Sequence, residues 1–79
     1  MTMRRAEVRI EGEEAAVLRR ALAPEAGREI PKTRVHISGR GRRLTLRIEA
    51  QDTGALRAAL NSYLRWAEVA MDVAREVRE

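Results

Sequence analysis

Few side chains in this sequence have the type and spacing that catalysis needs. Glu68, Asp72 and Glu76 recur every four residues and would share one face of a helix. Paired carboxylates can act as general acid and base, but on an exposed helix they more commonly form a solvated stripe. The single histidine, His36, takes an outward position on a predicted strand, and Ser62 has no neighbouring base to activate it. We therefore expect no catalytic residue, and a protein that is not an enzyme.

Metal and cofactor sites are equally poorly supported. The chain has no cysteine, which excludes disulfides and thiolate ligands, and its one histidine makes a zinc site implausible. The segment 39–41 reads Gly-Arg-Gly but lacks the Gly-Lys-Ser or Gly-Lys-Thr ending of a phosphate-binding loop. The sequence thus predicts neither a metal nor a cofactor.

The basic residues are concentrated in one segment. Residues 28–47 contain seven basic residues and one acid, or +6, whereas the remaining nine basic and eleven acidic residues give −2, so the net +4 is local. Such a patch can neutralise phosphates of RNA with weak sequence specificity, although no aromatic side chain lies within it to stack on bases. The segment fits an RNA contact and a merely solvated surface equally well. The candidate contact residues are Arg34, Arg40, Arg42, Arg43 and Arg47.

The apolar pattern of the first half predicts a strand, a helix and a loop. Residues 3–10 alternate between apolar and charged types, which indicates a half-buried strand. Residues 13–23 have helical spacing, with Glu13 and Glu14 in the first turn and Pro24 as the terminator. The proline- and glycine-containing residues 24–32 are predicted to form a loop.

The second half predicts a hairpin followed by a long helix. Residues 33–37 and 44–50 alternate as strands, and residues 38–42 hold two glycines suited to a hairpin turn. The order is therefore β-α-β-β-α in one α+β domain that covers residues 1–79. A right-handed crossover predicts an antiparallel sheet of order 1-3-2 with both helices on one face. The other sheet face is polar, so a second copy is expected to add at a strand edge, with the helices side by side.

Residues 52–77 form the predicted long helix, with Asp52 as its N-cap. Its apolar residues cover an arc of roughly 180°, which is wide for a surface helix. Twenty-six residues span about 39 Å, whereas a seven-residue strand spans about 23 Å. The last turns should therefore run past the sheet and leave Met71, Val73 and Val77 uncovered, from which we infer a protein partner. Tyr63 and Trp66 fit either the chain's own core or that partner.

No apolar run reaches the ~18 residues of a membrane span, and no signal peptide is recognisable. We therefore expect a cytoplasmic protein with no membrane contact.

The stretch Ala50-Gln51-Asp52, followed by Ala-Leu-Arg-Ala-Ala-Leu-Asn-Ser-Tyr-Leu-Arg-Trp at residues 55–66, resembles the helix signature of the small dimerisation subunit of the KEOPS complex, the CTAG/Pcc family. The alternating residues 34–50 are also similar, so the resemblance covers most of the chain. Ala67 departs from the pattern, because a bulkier apolar residue is expected after the tryptophan.

The resemblance implies an archaeal-type, non-catalytic scaffold of two helices on a three-stranded antiparallel sheet. In that family the subunit self-associates, and its helices dock on the ATPase-fold subunit that transfers threonylcarbamoyl to adenosine 37 of tRNA. The docking residues it implies, to which Met71 is added from the uncovered helix end, are Leu60, Tyr63, Leu64, Trp66, Ala67 and Met71. The alternative is a stand-alone RNA-binding α+β domain that uses the basic hairpin. The absence of a Gly-x-x-Gly loop between two helices argues against a KH domain.

Overall fold

A computed structural model describes residues 3–27 and 30–78, with only the backbone of residues 75–78. The elements are β1 (Arg4–Glu11), α1 (Ala15–Ala26), β2 (Thr33–Ser38), β3 (Arg43–Ala50) and α2 (Thr53–Arg78). The strands form one sheet in the order β1-β3-β2, with both pairings antiparallel. The predicted fold and sheet order are thus confirmed, and the strand ends differ from the prediction by one residue.

β3 is the centre of the molecule. Its inward residues Leu44, Leu46 and Ile48 are buried, because both helices pack on this face of the sheet. The inward residues of the two edge strands, such as Val8 on β1 and Val35 on β2, are only partly buried. The helices therefore cover the middle strand well and leave both edges of the sheet incompletely covered.

The β2–β3 hairpin depends on two glycines. Gly39 and Gly41 have φ values of 127° and 61°, a range that residues with a Cβ rarely adopt. A Cβ on Gly39 would overlap the main-chain carbonyl of Arg43. The backbone N–H of Arg43 donates to the carbonyl of Arg40 at 3.2 Å and closes the turn. The predicted role of the two glycines is confirmed.

The predicted limits of α1 are wrong at both ends. The helix begins at Ala15, so Glu13 and Glu14 precede its first turn, and Glu14 at the N-cap position makes no side-chain cap bond. Pro24 lies inside the helix rather than at its end. Pro24 cannot donate to the carbonyl of Arg20, and its ring crowds that carbonyl, but its fixed φ is compatible with a helix, and the last turn continues past it. The helix ends where the N–H of Gly27 donates to the carbonyl of Pro24 at 3.3 Å.

The start of α2 is fixed by Asp52, as predicted. Its Oδ1 accepts a hydrogen bond from the backbone N–H of Ala55 at 2.8 Å, and its Oδ2 lies 3.7 Å from Nζ of Lys32. The hydrogen bond from Ala55, with a smaller contribution from the Lys32 ammonium, lowers the pKa of the Asp52 carboxyl below its ordinary 3.8. The backbone N–H of Gln51 also donates to the carbonyl of Lys32 at 3.0 Å, which ties the loop before β2 to the start of α2.

From this start, α2 crosses the sheet and continues beyond it. The molecule measures 48 × 20 × 17 Å along its principal axes, and a helix of this length accounts for about 39 Å. The first half of α2 supplies Ala59 and Tyr63 to the core, where they join Leu18 and Leu22 of α1. The second half still supplies Ala67 to the core, with Ala70 and Met71 packed partly against it, whereas Val69 and Val73 are exposed.

The Asp52 cap makes stability depend on pH. Because the pKa of Asp52 is lower in the folded state, its contribution to the free energy of unfolding is present above the ordinary pKa of 3.8 and is lost as the pH falls through the folded value. Asp52→Ala should destabilise the protein at pH 7 and have a smaller effect near pH 3. Urea unfolding at both pH values measures this.

Asp52→Asn, which keeps a capping oxygen without the charge, should be less destabilised at pH 7 than Asp52→Ala. Gln51→Ala, at the exposed neighbouring position, is the control and should match the wild type at both pH values. An equal destabilisation by Asp52→Ala at pH 3 and pH 7 would contradict the assignment.

Candidate protein interface and basic surface

The face of α2 that points toward the sheet and α1 is a buried stripe that belongs to the chain's own core. Tyr63 is fully buried and Ala67 is 8% exposed. The rings of Tyr63 and Trp66 meet edge to face, with centroids 5.0 Å apart and planes at 76°, a favourable aromatic geometry. Trp66 is partly buried and also packs against the core. The two aromatic side chains therefore help to attach α2 to the rest of the chain.

Apolar residues extend from this stripe onto both flanks of α2. On one flank, Leu60 and Met71 pack partly against the core, and Leu64 between them is 45% exposed. On the other flank, Val69 and Val73 are 55% and 54% exposed. Trp66, Val69 and Val73 follow the i, i+3, i+7 spacing of anchors that fit a groove on a partner protein. The two flanks are separated by the buried stripe, so each presents its own contact surface.

The structure corrects one part of the predicted uncovered helix end. Met71 packs partly against the core instead of lying uncovered, since the helix turns it toward the Leu60 flank. Val73 is exposed as predicted, and the side chain of Val77 lies outside the described residues. Val69 was missed, although its spacing from Trp66 and Val73 would have placed it beside them on a helical wheel.

The six predicted docking residues are thus distributed between the core and the surface. Tyr63 and Ala67 are buried inside the chain, Leu60, Trp66 and Met71 are partly buried, and Leu64 is exposed. Their role in docking stays a prediction. A partner that approaches the folded chain would meet Leu64 first.

The predicted basic residues do not form a single cluster. Arg40, Arg42 and Arg43 are exposed at the hairpin tip. Arg34 lies opposite Glu49 in the strand register, near the end of β2 that is distant from the hairpin. Four residues, or about 13 Å, separate it from the hairpin end of the strand. Arg47 lies between them, opposite His36. The arginines therefore follow the outer face of the sheet from end to end, while Arg28 of the same segment lies outside the described residues.

Acidic residues on the outer face each lie beside basic ones. Glu49 is 3.3 Å from the guanidinium of Arg5 and 3.9 Å from Nε2 of His36, and Glu7 is 3.8 Å from Arg9. The basic side chain of each pair is more than half exposed, so water screens the attraction and each pair contributes little to stability. They arrange the outer face as an alternation of charges with a basic excess.

Arg19 of α1 holds the hairpin from the helix side. Its Nη1 donates to the carbonyl oxygens of Gly41 at 2.9 Å and Arg43 at 2.7 Å. The carbonyl of Arg42, between them, accepts from the backbone N–H of Gly12 at 2.8 Å. Three successive carbonyls of the hairpin are thus bound, and the basic loop has a defined backbone. Sequence reasoning missed Arg19, because a contact over 24 residues leaves no local signal.

The described residues contain no group of three or more His, Asp or Glu side chains placed to hold a metal ion. Across the same residues, neither helix combines the length and apolarity that crossing a bilayer requires.

The sequence matches one protein family over nearly all of this structure. The profile of the family described as "Transcription factor Pcc1" covers residues 4–75, from the first residue of β1 into the last turns of α2. The chain belongs to the Pcc1 family. The resemblance that the helix signature predicts is therefore confirmed.

One curated relative aligns with this member of the Pcc1 family over half of its sequence. It is the KEOPS complex subunit Pcc1 of Pyrococcus abyssi (strain GE5 / Orsay), and it is 52% identical over 42 residues. The aligned part is 53% of this chain and 51% of the relative, so the match spans about half of the relative's length.

The Arg19 contact gives a testable consequence for the fold of this Pcc1-family chain. Arg19→Met removes both hydrogen bonds to the hairpin while it keeps most of the aliphatic side chain. We expect a loss of about 1–2 kcal/mol in the free energy of unfolding and faster amide hydrogen exchange at residues 41–44. Urea unfolding and exchange measured by NMR test the two effects.

Arg20→Met, at the exposed next position of the same helix, is the matched control and should stay within about 0.5 kcal/mol of the wild type. If Arg19→Met leaves exchange in the hairpin unchanged, Arg19 does not hold it.

Proposed function

We propose that this chain is a non-catalytic scaffold of a KEOPS-type complex, the assembly that makes threonylcarbamoyladenosine at position 37 of tRNA. Membership of the Pcc1 family and the name of the Pyrococcus relative, a KEOPS complex subunit, support this role. The observation that carries it is the surplus apolar surface of α2. The proposed partners are a second copy of the chain and the ATPase-fold threonylcarbamoyl transferase subunit.

The exposed flanks of α2 supply the driving force for docking. Leu64, Val69 and Val73 are each about half exposed. Since full burial of such a side chain contributes about 1.5–3 kcal/mol, covering the exposed halves of all three would contribute roughly 2–4 kcal/mol. A small domain is stable by only about 5–15 kcal/mol, so contacts that cover both flanks change the energetics of the chain substantially.

Self-association is proposed at the free edge of β1. This edge has eight residues against six on β2, and its inward side chains Val8 and Ile10 are incompletely covered. α1 packs on β2 and β3, whereas α2 also reaches β1. Pairing through β1 therefore places the two α2 helices side by side above a six-stranded sheet.

Docking on the transferase subunit can be tested at Leu64. Leu64→Asp replaces an apolar side chain that is 45% exposed by a charge, and thermal melting checks that the variant stays folded. It should weaken binding to the ATPase-fold subunit of the same organism at least tenfold, or about 1.4 kcal/mol, in isothermal titration calorimetry. Asn61→Asp adds the same charge at an exposed position of the same helix and should bind like the wild type. Equal affinities for the two variants would refute docking through this flank.

The edge that pairs can be identified with spin labels, because the chain has no cysteine of its own. A label at Glu7→Cys reports on β1, and one at His36→Cys reports on β2. In a sheet joined through β1, the β1 strands are about 5 Å apart, and the β2 strands are separated by five strand spacings, about 24 Å. The label at residue 7 should show strong dipolar broadening of its continuous-wave spectrum, the label at residue 36 should give the longer distance by pulsed electron–electron measurement, and light scattering should give the mass of a dimer. A shorter distance at residue 36, or a monomer at high concentration, would overturn this arrangement.

A further inference from the structure

The outer face of the sheet has a shallow depression of about 320 Å³ near the hairpin, and Thr45 of the middle strand is among the residues that line it. The strand register places Arg9 of β1 and Ser38 of β2 directly beside Thr45. Arg43 and Arg47 precede and follow Thr45 by two residues, on the same face of β3. All five side chains line the depression. Three guanidinium groups and two hydroxyl groups are thus brought together from three strands.

Two carboxylates, Glu7 and Glu11, also line the depression. Glu7 lies 3.8 Å from Arg9 and directly opposite Arg47, and Glu11 lies opposite Arg43. The side chains of Arg9 and Glu7 are 75% and 39% exposed, so water screens their attraction and Arg9 can leave it cheaply for another anion. The arginines outnumber the acids three to two, which leaves the depression basic.

We propose that this depression binds a phosphate of a phosphodiester backbone, with Arg9 and Arg47 as its principal ligands. A guanidinium group fits phosphate oxygens with two parallel hydrogen bonds, and the hydroxyls of Ser38 and Thr45 add neutral donors. The depression is open, so it suits a chain that passes across the sheet better than an enclosed small molecule. Arg34 on the same face and Arg42 at the hairpin extend the basic track in either direction.

This surface goes beyond the proposed scaffold role and is independent of it. The helices cover one face of the sheet, and the depression lies on the other. Loss of partner docking through α2 would therefore leave phosphate binding intact, and the failure of one proposal can be told apart from the failure of the other.

The test is a salt titration of tRNA binding, followed by fluorescence anisotropy, with three paired variants. Arg9→Gln with Arg47→Gln removes the principal ligands, Arg40→Gln with Arg42→Gln changes the hairpin tip, and Arg57→Gln with Arg65→Gln is the control on the exposed side of α2. All three change the net charge equally. The first pair should weaken binding at least tenfold and reduce the slope of log K against log salt by roughly 1.4–1.8, since each lost phosphate contact contributes about 0.7–0.9.

The control pair should weaken binding less than twofold, and thermal melting should show that all three variants remain folded. A duplex DNA of equal length separates the sources of the phosphodiester: equal losses on both polymers mean that any backbone is bound, and a loss on tRNA alone identifies RNA. Equal weakening by the first and control pairs, or a larger loss from the tip pair, would overturn the assignment. So would a wild-type protein that binds inorganic phosphate but neither polymer at 50 mM salt, roughly the low end of the usual range.

Discussion

The mismatch in length between α2 and the sheet is the constraint on which the rest of the structure depends. β3, the strand beneath the helix, has eight residues, and α2 has 26. Along the sheet, α2 can bury Ala59 and Tyr63 against β3 and α1. On either side of this buried stripe, its apolar flanks meet water at Leu64, Val69 and Val73. The same helix therefore completes the core and creates an apolar surface that the chain does not cover with its own residues. One element thus contributes both to folding and to binding of a partner.

Most of the fold follows from two sequence periods, and for that reason it could be predicted. Alternation with period two fixed the inward residues of all three strands, and a helical period over residues 52–77 fixed α2 together with its cap at Asp52. The limits of α1 were less predictable, because Glu13 and Glu14 resemble first-turn acids and Pro24 resembles a stop signal, whereas the helix runs from Ala15 to Ala26. Proline removes a hydrogen bond to the turn before it and crowds a carbonyl of that turn, but its fixed φ is compatible with a helix, and α1 continues for two residues beyond Pro24.

The candidate sites were less predictable, because they depend on contacts distant in sequence. A helical wheel places Met71 and Leu64 on the same shoulder, but only tertiary packing decides that Met71 touches the core and Leu64 does not. Arg34 is close in sequence to the arginines of the hairpin, but in the structure it lies near the opposite end of β2 from the hairpin. Arg19 could not be assigned at all, since its two acceptors are main-chain carbonyls on another element.

The two faces of the sheet divide the interactions of the chain between them. Because side chains alternate along each strand, Leu46 enters the core while its neighbours Thr45 and Arg47 face outward. A protein partner on α2 and a polyanion on the outer face would therefore lie on opposite sides of β3 and need not compete. Pairing through β1 would preserve this division, since edge hydrogen bonds use the backbone and leave both faces free. Two copies would then present two basic depressions on one continuous face and two apolar helices on the other. A polymer long enough to cross both copies would bind more tightly than either depression alone allows. The second contact forms within the complex that the first has already made, so its effective concentration is high.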